Sequence, residues 1–126
     1  MATPAPTIIP AIRYDDAPAA IDFLERAFGF EVNARHDGED GRVDHAQLTH
    51  GSGMVMLGSS SGNQFDTAHT SIYVIVTDPD ALHERAVAAG AEITMGLSDQ
   101  DYGSREFTAR DPEGNTWSFG TYHPDM

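Results

Sequence analysis

Residues 43–58, VDHAQLTHGSGMVMLG, lie over residues 105–120, REFTARDPEGNTWSFG, without a gap, at an offset of 62 residues. Identities are few. Gly58 falls on Gly120, Leu57 on Phe119, and HGSG (50–53) on PEGN (112–115). The preceding stretches superpose as well, IRYDDAPAAIDFLERAFGFEV (12–32) over YVIVTDPDALHERAVAAGAEI (73–93). Asp16 meets Asp78 there, and after one residue drops out near Phe28, Gly29 meets Gly90.

Each copy carries the same punctuation. An apolar strand comes first, IIPAIRY (8–14) and then SIYVIV (71–76). An Asp suited to capping follows, with Pro soon after: Asp16 with Pro18, Asp78 with Pro79. An Asp in that place accepts from the free N–H groups of a first helical turn, where Pro is also tolerated. Ile21, Leu24 and Phe28 then recur at helical spacing, as do Leu82, Ala86 and Ala89. Gly29 and Gly90 stand where a helix ends. Three short strands follow. The unit is strand–helix–strand–strand–strand, twice: an α+β chain of two tandem βαβββ modules, repeats 7–60 and 69–122, joined by the polar linker 61–68, flexible in composition. One helix over one sheet is too little to stand alone. Residues 1–126 therefore read as a single domain.

Side chains alternate along a strand. Trp117 and Phe119 share one face and take the side beneath helix 79–89, as Val55 and Leu57 do in the first copy. Pro10, Ile12, Tyr14, Ile72, Val74 and Val76 would pack inward too. The open face then presents Ile9, Arg13, Met56, Ser71, Tyr73 and Ser118, a mixed lining suited to a ligand cleft. Glu106 and Thr108 join it, with Phe107 beneath the helix. In the first copy the same alignment opens Asp44, Ala46 and Leu48 and buries His45 and Gln47. A bulge would reverse that uncomfortable placement, so the orientation of His45 stays open.

Composition narrows the function. Apolar residues make up 40% and charged residues 21%, an ordinary globular balance. The start MATPAPTIIP has neither a basic stretch nor a long apolar run, which argues against a leader or an anchor and for a cytoplasmic location. With no cysteine, any metal site would rest on His, Asp or Glu. The formal net charge is −13, and only seven basic residues are present, so neither nucleic acid nor an anionic membrane surface is an expected partner. An acidic field attracts a cationic small molecule, or simply keeps the chain soluble.

The paired units, the DPEGN turn (111–115) and the VTDPDAL run (76–82) resemble the vicinal oxygen chelate superfamily of glyoxalases, bleomycin-resistance proteins and extradiol dioxygenases. The resemblance spans residues 7–122. SIYVIVTDPDALHERA (71–86) and GSREFTARDPEGNTWSFG (103–120) look closest to the bleomycin-resistance branch. It implies that each mixed sheet curls into half a cup and that two halves enclose a cavity, often across a homodimer. It also implies metal ligands, in the metal-dependent members, at the positions of Ile9, Met56, Ser71 and Ser118. None of these is the His, Gln or Glu such a site wants. Isoleucine cannot coordinate, a thioether suits soft ions, and a neutral hydroxyl is a poor ligand.

The expected function is therefore metal-independent binding and sequestration of a small molecule, aromatic and cationic, by a homodimer. No catalytic residue, metal or cofactor is assigned. The expected ligand-binding residues are Arg13, Met56, Ser71, Tyr73, Tyr102, Glu106, Thr108 and Ser118. Arg13 could grip an anionic ligand group or pair with Glu106 or Asp44; Tyr102 could bind or merely anchor its loop, and Phe65 reads as an anchor. His36, His50, His69, His83 and His123 are scattered and read as surface residues. The alternative is a lyase, isomerase or dioxygenase whose metal has moved to Asp44, His45 or His69. A third reading is an accessory domain that docks a protein through a sheet face.

Overall fold

The computed structural model describes residues 5–67 and 69–124. Ala68 of the linker and the outermost residues of the expected leaderless start and single domain (1–4, 125–126) lie outside the described residues. The order is β1 (Ala11–Tyr14), α1 (Ala17–Phe28), β2 (Glu31–Asp37), β3 (Val43–His50), β4 (Gly53–Ser59), β5 (Ser71–Ile75), α2 (Pro79–Ala88), β6 (Glu92–Asp99), β7 (Arg105–Arg110) and β8 (Thr116–Gly120). The βαβββ pattern occurs twice. Among the described residues no helix is long and apolar enough to cross a membrane.

The chain divides into two compact units, residues 1–25 with 29–68, and residues 26–28 with 69–126. Each holds a four-stranded mixed sheet, β1-β4-β3-β2 in the first and β5-β8-β7-β6 in the second. The first and last strands of each run parallel, and the other pairs are antiparallel. Both helices begin as their sequences dictate. The Asp16 carboxylate accepts from the Ala19 N–H at 3.2 Å, and the Asp78 carboxylate from that of Ala81 at 3.1 Å. Gly29 closes α1 in the left-handed region at φ 78°.

Alternation along the strands is largely as expected. Ile12, Tyr14, Val55, Leu57, Phe107, Trp117 and Phe119 are buried. Pro10 is exposed instead of inward, because the ladder starts after it. Lacking an N–H, it contributes only its carbonyl, which accepts from Met56 N at 2.9 Å. Ile72, Val74 and Val76 are only half-buried.

The gapless alignment fails at one point, and that point matters. Leu48 pairs with Val55 and His50 with Gly53, so β3 and β4 are joined across Gly51 and Ser52 alone. Arg110 pairs with Thr116, so β7 and β8 are joined across the longer run 111–115. Met56 thus lies beside Gln47, whereas Ser118 lies beside Thr108, and the strands before the turns correspond at an offset of 61. A slip of one residue exchanges the two faces of a strand. Ala46 and Leu48 are accordingly buried, and His45 and Gln47 face the same side as Met56. This corrects the expected placement of Ala46, Leu48, His45 and Gln47, and turn length rather than a bulge causes it.

The core also draws on a ring the repeat does not point to. α2 lies along β6 and β7, with the His83 ring edge-on to Phe107 at 5.2 Å. It buries Pro79 and Ala86. Trp117 and Phe119 are met by Phe28, whose ring lies 6.0 Å and 4.8 Å from theirs. Phe28 belongs, with Arg26 and Ala27, to the second unit.

Candidate functional site

The open face of the second sheet is built around one carboxylate. Glu106 is paired with Gly120 and sits two residues before Thr108, which is paired with Ser118, itself beside Tyr73 on β5. Register alone therefore places Tyr73, Ser118, Thr108 and Glu106 on one face. Ser118 Oγ and Thr108 Oγ1 share a hydrogen bond of 2.9 Å. Glu106 is 6% exposed. Tyr73 donates its hydroxyl to Glu106 Oε2 at 2.7 Å, Ser104 donates to the same oxygen at 3.0 Å, and Tyr102 donates to Oε1 at 2.7 Å. A side chain on Gly120 would collide with Glu106 Cγ and the Tyr73 hydroxyl. The glycine that repeats at the end of each copy is thus required here by the carboxylate cluster. At Gly58 the demand differs, since a Cβ there would press on the Asp44 carbonyl at 3.1 Å.

Two of these neighbours escape the sequence reading. Ser104 lies two residues before Glu106 and so shares its strand parity. Tyr122 lies two residues past Gly120, just beyond β8. Its N–H donates to Tyr73 Oη at 3.2 Å, and its ring stands edge-on to that of Tyr102, 5.5 Å away at 81°. Following parity past both strand ends would have found them.

The hydrogen bonds set the charge. Burial pushes the Glu106 carboxyl up, but the hydroxyls of Tyr102, Tyr73 and Ser104 together outweigh it, and the net shift is downward. Glu106 is therefore a carboxylate at neutral pH. The same bond to Glu106 is the main cause that pushes Tyr102 up to about 12, with burial second. Tyr73 is raised as well, first by burial.

The remaining candidates lie elsewhere. Ser71 is exposed and stands in register with Thr116. Met56 and Arg13 belong to the first unit, on the face that also carries His45 and Gln47. His45 Nε2 and Gln47 Oε1 share a hydrogen bond of 2.9 Å, and Gln47 Nε2 donates to Asn33 at 2.9 Å. Arg13 pairs with neither Glu106 nor Asp44 but with Asp66 at 3.6 Å, and it donates to Ser59 O at 3.3 Å and Ser61 Oγ at 3.1 Å. Its guanidinium lies over the exposed Phe65 ring, 5.9 Å from the centroid. Asp66 in turn accepts from Ser61 N at 2.8 Å and Gly62 N at 2.6 Å. The first of these bonds leads in holding its carboxyl below the usual range. The linker, polar enough to read as flexible, is thus folded on its own aspartate.

The chelating chemistry of metal-dependent relatives does not fit these residues. Ser118 Oγ is bonded to Thr108, and the first-strand residues beside Met56 and Ser118 are Ala11 and Tyr73. Lewis-acid catalysis needs several good ligands around an open position. The substitutes do not converge either. Asp44 and His45 are adjacent on β3 and point to opposite faces, and the His69 ring lies against Gly114 of the DPEGN turn. Among the described residues no three His, Asp or Glu side chains gather.

Two four-stranded mixed sheets from a duplicated βαβββ unit define the class: the profile of the Glyoxalase/Bleomycin resistance protein/Dioxygenase superfamily matches residues 8–119, and the chain belongs to that superfamily. Particular relatives follow. An uncharacterised protein of Mycobacterium tuberculosis strain H37Rv is 35% identical over 125 residues, covering 91% of this chain and 74% of its own. TioX from Micromonospora sp. ML1 superposes with a TM-score of 0.81 at 31% identity, covering 94% of this chain and all (100%) of TioX. A glyoxalase/bleomycin resistance protein from Streptomyces sp. CB03234 has a TM-score of 0.72 at 20% identity over 88% of this chain and 96% of its own, a likeness of fold alone.

Proposed function

We propose that this chain is a metal-independent binding protein that sequesters a small aromatic cation, acting in the cytoplasm as a homodimer. The observation that carries the reading is the second sheet's open face, where exposed tyrosine rings and hydroxyls gather on one ionised carboxylate. Stacking on Tyr73 and Tyr102 and polar contacts to Thr108 and Ser118 suit a flat ligand. The formal net charge of −13 suits a cationic one. Arg13, Met56 and Ser71 complete the binding residues of this proposal.

The test is calorimetry of untagged protein with Zn(II), Ni(II), Mn(II) and Fe(II), followed by a fluorescence screen of basic glycopeptide and aromatic drugs. The expected result is no stoichiometric metal and saturable binding of a drug that mass spectrometry recovers unchanged. One tightly held metal per chain, or conversion of the ligand, would overturn it. Sedimentation should give twice the chain mass; a monomer would sink the dimer.

A further inference from the structure

Glu106 is a buried anion, and among the described residues no cation pairs with it. Its hydrogen-bond partners are three neutral hydroxyls. The chain contains no lysine. The adjacent arginine, Arg105, is committed to Asp80 at 2.7 Å and Asp99 at 3.2 Å. Hydroxyl donors keep the carboxylate ionised but bring no positive charge to face it. A carboxylate also has room for about four donors. Oε2 already accepts from Tyr73 and Ser104, while Oε1 accepts from Tyr102 alone.

The side above Oε1 is the wet one. Tyr102 is 59% exposed and Tyr122 43%. Tyr102 sits on a turn closed by Gly103 N donating to Gln100 O at 3.0 Å. Its hydroxyl can leave Oε1 with little loss of packing. The rings of Tyr102 and Tyr122 offer faces that attract a cation. A single free acceptor suits one N–H of an ammonium better than the two parallel donors of a guanidinium. One carboxylate among phenols is likewise too few oxygens for Mg²⁺ or Ca²⁺.

We propose that Glu106 anchors the ammonium of a primary or secondary amine with an aromatic body, and that the Tyr102 hydroxyl holds the amine's place in the free protein. The proposal rests on the binding reading above and names the ligand's charged group and its anchor.

The experiment is an NMR titration of the full chain with benzylamine, benzyltrimethylammonium and benzyl alcohol, following the amides of Tyr102, Gly103, Ser104 and Tyr122. Benzylamine should bind at least about tenfold more tightly than the alcohol, the effect of one charge-assisted hydrogen bond, with the quaternary ion between them. Glu106→Gln should bring benzylamine down to the level of the alcohol. Tyr102→Phe, which keeps the ring and frees Oε1, should bind benzylamine at least as tightly as the wild type. Equal binding of amine and alcohol overturns the proposal, as does a Glu106→Gln variant that keeps the preference. Should Glu106→Gln fail to fold, the amine-to-alcohol ratio in the wild type and in Tyr102→Phe decides. If the drug screen finds a ligand but amines show no advantage, this inference fails and the binding reading survives. If neither drugs nor benzylamine bind, both fall.

Discussion

Asp111→Asn isolates the device that holds the DPEGN turn. The Asp111 carboxylate is buried. Oδ1 accepts from the N–H groups of Glu113 and Asn115, each at 3.0 Å. Oδ2 accepts from Asn115 Nδ2 and from the Trp117 indole, each at 3.1 Å. Asparagine keeps the shape and one oxygen. Placed to keep the Oδ1 bonds, it sets an amide NH₂ against two other donors. Each hydrogen bond to a charged acceptor is worth about 1.5–3 kcal/mol. Losing the indole bond, and leaving Asn115 Nδ2 only its longer 3.3 Å reach to Oδ1, should cost about 2–4 kcal/mol of stability. For a chain of this size that is a fall in Tm of roughly 10 °C. Urea unfolding followed by Trp117 fluorescence measures it directly. Combining the change with Trp117→Phe should recover about 1–2 kcal/mol of coupling. A loss under about 0.5 kcal/mol for the single variant would refute the reasoning, since the buried donors would then have found other partners.

Four further outcomes are expected. Phe28→Ala should lower stability by about 3–5 kcal/mol and shift Trp117 emission to the red, because it removes a ring packed against two buried ones; unchanged emission would argue against that packing. In an alkaline titration Tyr102, pushed up to about 12, should stay protonated after ordinary tyrosines near 10.0 have ionised, and Glu106→Gln should bring it back; its contribution to stability is whole below 10.0 and is lost as pH rises through 12. Glu106, held below its ordinary 4.5, contributes fully above that value and loses its contribution as pH falls through its lower folded value, so Glu106→Gln should flatten the acid side of the stability curve; an unaltered curve would count against the cluster. Asp66→Ala should speed hydrogen exchange at Ser61 and Gly62 and leave the sheets unaffected; unchanged exchange would show that the loop stands without its aspartate.

Much of the fold was legible because duplication wrote each signal twice. Asp16 and Asp78, Gly29 and Gly90, and the apolar runs repeat at matched distances, so chance resemblance in one copy is checked by the other. What misled was the same symmetry. HGSG over PEGN looks like one turn written twice, yet a two-residue connection and a longer one differ in register, and register decides faces. Legible in the site were the parity relations that bring Tyr73, Glu106, Thr108 and Ser118 together. Illegible were the partners of Arg13, because a loop that folds on Asp66 carries no periodicity. The source of the ring over Trp117 was equally hidden, because a helix shows which residues are apolar but not which sheet they meet.

The second unit is written in two places along the chain. Phe28, which packs on Trp117 and Phe119, is synthesised well before either of them. The aromatic core of that unit is therefore complete only when β8 meets residues 26–28. A fragment beginning at residue 69 would carry both sheet aromatics and lack the ring that packs on them. The repeat that looks separable as text is not separable as a folding unit, and a swap of this half into another member of the superfamily must take residues 26–28 along with it.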